Sequence, residues 1–334
     1  MRVVARAPGK LVVLGEYAVL AGAPALVVAV DRYCRAEITP SDDSRCHLTT
    51  AAPRLRQASF PPGSASGAEL VDRVVEAWPG GESGPWRGTL DSGELYGISG
   101  KLGLGSSAAA LTAWAGAWAS YARGSAVDKN PATLQVLIGL HRAFQGGSGS
   151  GLDVAASLFG GAIRYRLTDG SEPQVGSVRL PKSVGFLGVF AGHSASTPDL
   201  LARYGEWRRH ARREADRQLR AMGETAWAGC KAAEAGDGVG FLEAVAEYGQ
   251  QLERLGESMG GEIMTDAHRK ILGHATRFGV VYKVSGAGGG DLGLACSADR
   301  EALEAFKVAL DQNYQVIEVG LDDQGLTVEE RERE

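Results

Sequence analysis

The chain has 334 residues, of which 35 are basic and 40 acidic, giving a formal net charge of −5. A mild acidic balance argues against a nucleic-acid-binding protein, which normally carries a basic excess. No apolar run approaches the roughly 20 residues that span a bilayer, and charged residues interrupt the apolar N-terminus, unlike a signal peptide. We therefore expect a cytoplasmic protein without nucleic-acid or membrane partners, as a monomer or a homodimer.

The first hundred residues are predicted to contain mainly short strands. Pro8-Gly9 is expected to separate two of them, at residues 3–7 and 11–14, and a third follows at 25–30. The other expected elements are strands at 34–39 and 45–49 paired as a hairpin, a loop over 50–67, a helix over 68–78 and a strand at 86–91.

The rest of the chain is predicted to be richer in helices. The expected elements are helices at 106–123, 131–144 and 300–311, strands at 160–167, 184–190, 280–284, 292–296 and 314–319, and a nearly continuous helical region over 198–277 with breaks at Gly223, Gly236 and Gly260. Strands and helices do not alternate regularly, which favours an α+β fold. We expect two domains, residues 1–175 and 176–334, and a frayed tail over 328–334.

Glycine is abundant, with 47 residues, and it concentrates in three clusters. The first, over residues 101–110, places Gly103 and Gly105 directly before a predicted helix that starts at Ser106. Backbone N–H groups at a helix N-terminus bind phosphate, and glycine lets the backbone approach a ligand closely. The glycine spacing matches neither a Walker A loop nor a dinucleotide fingerprint. The alternative is a flexible turn before a core helix.

The other two clusters have similar alternatives. Residues 145–157 lead from a polar loop into an apolar helix that carries Asp153 at its start. This acid either binds a partner or metal, since an isolated buried charge is costly, or caps its helix. Residues 285–291 hold more glycine than a hairpin needs, which favours close approach of the backbone to a ligand over a simple turn.

These clusters, together with Pro8-Gly9-Lys10 near the N-terminus, resemble the GHMP kinases in their order along residues 7–296. The resemblance implies a ribosomal-protein-S5-like N-terminal domain and a ferredoxin-like C-terminal domain. It also implies that ATP and Mg²⁺ are the cofactors and that a small phosphorylated molecule is the substrate. A lysine such as Lys10 would otherwise be read as a solvated surface residue.

Within the family, the segments are most similar to the phosphomevalonate kinases, which convert 5-phosphomevalonate to 5-diphosphomevalonate. Mevalonate kinases usually carry a magnesium-binding glutamate where this chain has Arg142, eleven residues before Asp153. That departure lowers the expectation for mevalonate as the substrate. A mevalonate kinase, a sugar kinase and a non-catalytic nucleotide-binding relative remain the alternatives.

The resemblance also implies roles for individual residues. Lys10, Lys101 and Asp153 correspond to catalytic residues, and Ser107 and Asp153 to metal ligands. The residues expected to contact ATP are Gly103, Leu104, Gly105, Ser106, Ser107 and Ala108. Those expected to contact the substrate are Tyr17, Ser148, Ser150, Ser194, Ser196, Thr197, Gly286, Ala287 and Gly288. Simple N-capping is the alternative for the serines and the threonine of residues 194–197.

Overall fold

The computed structural model describes residues 1–80, 84–97, 100–147, 149–168, 172–192, 197–310 and 314–332. Its strands are β1 (Arg2–Leu14), β2 (Pro24–Pro40), β3 (Cys46–Ala51), β4 (Arg56–Phe60), β5 (Trp86–Asp91), β6 (Tyr96–Gly97), β7 (Gly100–Lys101), β8 (Ala162–Arg166), β9 (Gln174–Val178), β10 (Gly185–Phe190), β11 (Val281–Val284), β12 (Leu292–Ser297), β13 (Gln315–Glu318) and β14 (Thr327–Arg331). Within these ranges, no helix is both long and apolar enough to cross a membrane.

The helices are α1 (Glu69–Ala77), α2 (Ser106–Arg123), α3 (Pro131–Phe144), α4 (Leu152–Phe159), α5 (Thr197–His210), α6 (Arg212–Ala235), α7 (Gly238–Ser258), α8 (Asp266–Arg277) and α9 (Arg300–Leu310). This mixture confirms the predicted α+β class. The division of the chain near residue 175 stays a prediction.

The larger sheet has the order β14-β1-β2-β5-β3-β4, with β8 paired to β2 and β9 paired to β8. β1 is continuous through Pro8 and Gly9, so the predicted break into two strands is wrong. The ladder to β2 shifts its register between these two residues instead. A bulge of this kind accommodates the missing N–H of proline without ending the strand.

The predicted hairpin between residues 34–39 and 45–49 is also wrong. β5 lies between the two strands, antiparallel to β2 and parallel to β3. β3 forms its antiparallel pair with β4, inside the segment that was predicted to be a loop. Local pattern cannot reveal this order, because a strand that arrives 40 residues later has inserted between two neighbours in sequence.

α2 is the central helix of the region around the larger sheet. It packs on β1 and β2 and is buried along most of its length. Alanines such as Ala109 and Ala113 have no exposed surface, and Trp114 beside them is completely buried. Small side chains allow the helix to lie close to the sheet, which fixes the position of its N-terminus.

The smaller sheet has the order β11-β12-β10-β13, and α8 and α9 pack against it. α6 ends before Gly236 as predicted, but it continues through Gly223, where a break was expected. A side chain at Gly223 would bring its Cβ within 3.0 Å of Ala23 Cβ. This glycine therefore serves close packing rather than a turn.

The C-terminal segment returns to the larger sheet. β14 pairs antiparallel with β1, from Arg2 opposite Arg331 to Arg6 opposite Thr327. Leu326, just before β14, is 3% exposed and packs against Gly116 of α2. The predicted frayed tail is therefore wrong over β14, because this anchoring residue and a free sheet edge order the strand.

Candidate active site

A cavity of about 410 Å³ lies where the loop before α2, the start of α4, β1 and the loop between β11 and β12 meet. The side chains in its wall include cations, carboxylates and hydroxyls. Its charged and hydroxyl-bearing members are Lys10, Glu16, Tyr17, Lys101, Ser106, Ser107, Ser150, Asp153, Ser285 and Asp291. The folded chain thus brings all the glycine clusters identified in the sequence to one cavity.

The glycine-rich loop sets the N-terminus of α2 against this cavity. Gly103 and Gly105 have left-handed backbone conformations, with φ angles of 77° and 76°. α2 starts at Ser106 as predicted, and its N-terminus has no side-chain cap hydrogen bond. Uncapped N–H groups in a first helical turn can donate hydrogen bonds to an anionic ligand.

Lys10 is held inside the wall rather than in solvent. Its side chain is 8% exposed, and its Nζ donates to the Gly103 carbonyl oxygen at 3.0 Å. Burial lowers the pKa of Lys10, while the negative charges of Asp153, Asp291 and Glu16 partly counteract that effect. The ammonium group therefore stands beside the glycine-rich loop, within a cluster of acids.

Asp153 lies in the first turn of α4. Gly151, just before this helix, has a left-handed backbone conformation. Its Oδ1 accepts from the backbone N–H of Val154 at 3.0 Å, and its side chain is 23% exposed. Its Oδ2 lies 3.9 Å from Nδ1 of His141. The Asp153 carboxylate therefore reaches the cavity beside a buried histidine.

That histidine also contacts the glycine-rich loop. Nε2 of His141 is 3.0 Å from Oγ of Ser107, and Gln145 Nε2 donates to the same Oγ at 3.4 Å. Both residues come from the last turn of α3 and the position just after it. Arg142 Nε donates to the Gly149 carbonyl oxygen at 2.9 Å and so closes the loop before α4.

Known proteins are similar to the chain over most of its length. The chain is 29% identical to the phosphomevalonate kinase of Streptomyces sp. over 343 aligned positions, covering 88% of this chain and 89% of that protein. The mevalonate kinase of Thermococcus sibiricus is 30% identical over 216 positions, covering 61% of each. No protein-family model matches the chain.

Solved structures agree at the level of the fold. The Streptococcus pneumoniae phosphomevalonate kinase in complex with phosphomevalonate and AMPPNP superposes with a TM-score of 0.81. That match covers 95% of this chain and 99% of the other, at 21% identity. These relatives and structural neighbours are GHMP kinases, so the chain is similar to that family in sequence and shares its α+β fold.

A buried ion pair supports the cavity wall. Lys283 Nζ lies 2.5 Å from Oε1 of Glu16, and the two side chains are 0% and 3% exposed. The same Glu16 oxygen accepts from the backbone N–H of Gly286 at 3.3 Å. Since Glu16 follows β1 and Lys283 lies in β11, the pair joins the two sheets next to the cavity.

Several residues predicted to contact substrate line the cavity. Tyr17 Oη donates to the Ala287 carbonyl oxygen at 2.6 Å, and burial raises the pKa of this tyrosine. Ser150, Gly286 and Ala287 are also in the wall. Gly288 is buried instead, and a Cβ there would lie 2.6 Å from Ile263 Cγ2.

The remaining predicted contacts fall in three groups. The side chains of Leu104 and Ala108 are buried in the hydrophobic core. Thr197 begins α5, but its side chain is outside the description. Ser148, Ser194 and Ser196 lie outside the described residues. For these residues the expected substrate or nucleotide contacts stay predictions.

Sequence analysis missed the contacts of His141 and the Glu16–Lys283 pair. One signal was available for Lys283, because a lysine in the apolar strand Val281–Val284 is costly to bury without a partner. No comparable signal marked His141, since an isolated histidine near the end of a helix is common.

Proposed function

We propose that the chain transfers the γ-phosphoryl group of ATP to (R)-5-phosphomevalonate, releasing ADP and 5-diphosphomevalonate. The observation that carries this proposal is the cavity itself, in which Lys10, Lys101 and Asp153 face the N-terminus of α2. Similarity to a phosphomevalonate kinase over 88% of the chain supports the choice of substrate. The complex of the Streptococcus pneumoniae enzyme with AMPPNP supports ATP as the donor.

The phosphates of ATP are assigned to the loop of residues 103–105 and the first turn of α2. The uncapped N–H groups of this turn and the positive end of the helix dipole both face the ligand. Gly105 permits the approach, because a Cβ at this position would lie 3.1 Å from Lys10 Cγ and 3.2 Å from Lys10 Cε. A larger residue would therefore displace the lysine as well as narrow the loop.

Gly105→Val is expected to abolish measurable nucleotide binding while the protein stays folded. Valine would be strained at a φ angle of 76° and would collide with Lys10. Gly124→Val is the matched control, since Gly124 has a φ angle of 61° at the other end of α2 with nothing near its Cβ. Calorimetric titration with AMPPNP measures both variants. Equal nucleotide affinity in the two would contradict the assignment of the loop.

The residues of the cavity fit Mg²⁺. Ser107 and Asp153 offer a hydroxyl and a carboxylate oxygen, the hard ligands that Mg²⁺ prefers. Among the described residues, no three acidic, histidine or cysteine side chains form a metal cluster. Such a small protein contribution suits a Mg²⁺ ion that takes its other ligands from phosphates and water. When bound, the ion neutralises charge on the phosphates of ATP.

The cations suit an acceptor that is itself a phosphate. At pH 7 a phosphate monoester is largely a dianion, because its second pKa is about 6. One of its oxygens attacks the γ-phosphorus, the bond to the β-phosphate oxygen breaks, and ADP leaves with that electron pair. No proton has to be removed. Lys10 and Lys101 reduce the repulsion between the two anions as they approach.

A hydroxyl acceptor would make a different demand on Asp153. The alcohol proton must leave, so a kinase for mevalonate or a sugar needs a base next to the nucleophile. Similarity to the Thermococcus sibiricus mevalonate kinase favours this second candidate over 61% of the chain. In the phosphate reaction, Asp153 instead orients Lys10, whose ammonium it attracts, and the metal.

An ADP-release assay with phosphomevalonate, mevalonate and galactose tests the acceptor. We expect turnover with phosphomevalonate, at a rate that falls as the pH decreases through about 6 and the substrate phosphate gains a proton. Faster turnover of mevalonate would replace the proposal with a hydroxyl kinase. Nucleotide binding without ADP release from any acceptor would indicate a non-catalytic relative.

Asp153→Asn separates the two roles of the carboxylate. With phosphomevalonate we expect a lowered kcat that raised Mg²⁺ partly restores, because only positioning has been lost. A base cannot be replaced in this way, so a loss that Mg²⁺ leaves unchanged would contradict the positioning role. Asp266→Asn is the matched control, since Asp266 occupies the first turn of α8, away from the cavity wall. Its kcat should equal that of the wild type.

A further inference from the structure

We propose that His141 is a positioning residue for Ser107. It accepts a hydrogen bond from the Ser107 hydroxyl, which leaves a lone pair of the Ser107 oxygen directed at the cavity. Ser107 then holds a divalent cation and does not donate a hydrogen bond to a phosphate. This inference rests on the proposed function, because it assigns one of two possible tasks to a residue of the proposed ATP site. It concerns a histidine to which the resemblance assigned no role.

The imidazole of His141 lies between Ser107 and Asp153. His141 is 3% exposed, so its side chain has little contact with water. Its Nε2 lies 3.0 Å from Ser107 Oγ, and its Nδ1 lies 3.9 Å from Asp153 Oδ2. A neutral imidazole carries a proton on one nitrogen and accepts through the other. In the neutral ring the tautomer therefore decides the direction of the hydrogen bond to Ser107, whereas in the doubly protonated ring Nε2 donates.

The Asp153 carboxylate favours one tautomer of the imidazole. The negative charge of Asp153 lies on the Nδ1 side of the ring and attracts a proton to that nitrogen. With Nδ1 protonated, Nε2 is an acceptor, and the Ser107 hydroxyl donates to it. The 3.9 Å separation is too long for a direct hydrogen bond, so the preference arises from the charge of the carboxylate.

The Ser107 hydroxyl has one proton and two lone pairs. The proton of Ser107 is committed to His141, and one lone pair receives the N–H of Gln145 at 3.4 Å. The lone pair that remains belongs to an oxygen in the cavity wall, where it can bind a cation. Partners of this kind commonly orient metal ligands and raise metal affinity.

The opposite tautomer would give the opposite function. With the proton on Nε2, His141 would donate to Ser107, and the serine proton would be free to donate to a phosphate oxygen. Ser107 would then recognise the nucleotide in the absence of metal. The two arrangements therefore differ both in a spectroscopic signature and in the metal dependence of nucleotide binding.

The tautomer can be read directly from two-bond ¹H–¹⁵N correlation spectra of the ¹⁵N-labelled full chain. The chain has six histidines, and the His141→Phe variant identifies the signals of His141 by their loss. We expect the Nδ1-protonated form at neutral pH. Observation of a proton on Nε2, in the neutral or the doubly protonated ring, would overturn the proposal, whatever the catalytic activity of the protein.

Nucleotide affinity gives an independent readout. Calorimetric titration with AMPPNP is performed with Mg²⁺ and with EDTA for the wild type, His141→Phe, Ser107→Ala and the double variant. We expect His141→Phe to weaken binding about 10–100-fold with Mg²⁺ and to leave binding in EDTA unchanged. The double variant should bind no worse than Ser107→Ala. Equal losses with and without Mg²⁺ would overturn the proposal.

Two further variants keep the result interpretable. His268→Phe replaces another fully buried histidine, which contacts Tyr282 away from the cavity, and should not change the metal dependence. If His141→Phe does not fold, His141→Asn is titrated in its place, with the same expectation. Metal-independent nucleotide binding by the wild type would contradict the proposed magnesium site. The NMR measurement of the tautomer tests the proposal for His141 separately.

Discussion

Lys10→Met is expected to lower kcat by about 10²-fold or more, with a smaller effect on the affinity for ATP. The methionine side chain fills a similar volume but has no charge to offset the phosphates as they approach each other. Its wild-type counterpart is anchored by the Gly103 carbonyl oxygen, 3.0 Å from Nζ, so the charge stands beside the proposed phosphate loop. Steady-state ADP release with phosphomevalonate measures the loss.

Lys270→Met provides the control for this prediction, since Lys270 is an exposed lysine on α8. It should retain the wild-type kcat. The lowered pKa of Lys10 adds a pH dependence: as the pH rises, Lys10 loses its proton before an ordinary lysine would, so kcat/KM should fall from a pH below 10.5. A Lys10→Met variant with normal kcat would remove Lys10 from the reaction.

Lys283→Met is expected to lower the free energy of unfolding by about 3–5 kcal/mol. The substitution leaves the carboxylate of Glu16 in the protein interior without its counter-charge, and both side chains of the pair are at most 3% exposed. Adding Glu16→Gln should recover part of the loss, because the uncompensated charge is then removed. Urea denaturation of the single and double variants measures the difference.

An exposed ion pair of similar geometry serves as the comparison. Lys307 Nζ lies 2.6 Å from Glu318 Oε1, but the glutamate side chain is 76% exposed. Water already solvates these charges, so Lys307→Met should leave the free energy of unfolding close to that of the wild type. If Lys283→Met and Lys307→Met were equally harmless, burial of the Glu16–Lys283 pair would have no energetic consequence.

The parts of the site that could be predicted from sequence are those encoded in short segments. The start of α2 at Ser106 follows from two glycines and a run of serine and alanine, and Asp153 stands out as an acid entering an apolar helix. His141 could not be found in this way. Its contact with the site depends on the packing of α3, which brings the histidine beside Ser107, 34 residues earlier in the chain.

The same difference between local and long-range information applies to the fold. Most helices and several strands were predicted close to their observed positions, because hydrophobic periodicity is a local property. The insertion of β5 between β2 and β3 and the presence of β4 were not predicted. Strand order depends on pairing between distant segments, and the free energy of such pairing is not visible in either segment alone.

The return of β14 to β1 has a consequence for synthesis on the ribosome. Thr327 lies 321 residues after Arg6, to which it is hydrogen-bonded, so nearly every other element emerges before this pair can form. N-terminal regions generally fold first during translation, yet here one edge of β1 stays unpaired until β14 has been synthesised. An unpaired edge invites association with other strands. The nascent chain therefore keeps this edge of β1 open to such association until β14 emerges, and slowing translation would lengthen that interval.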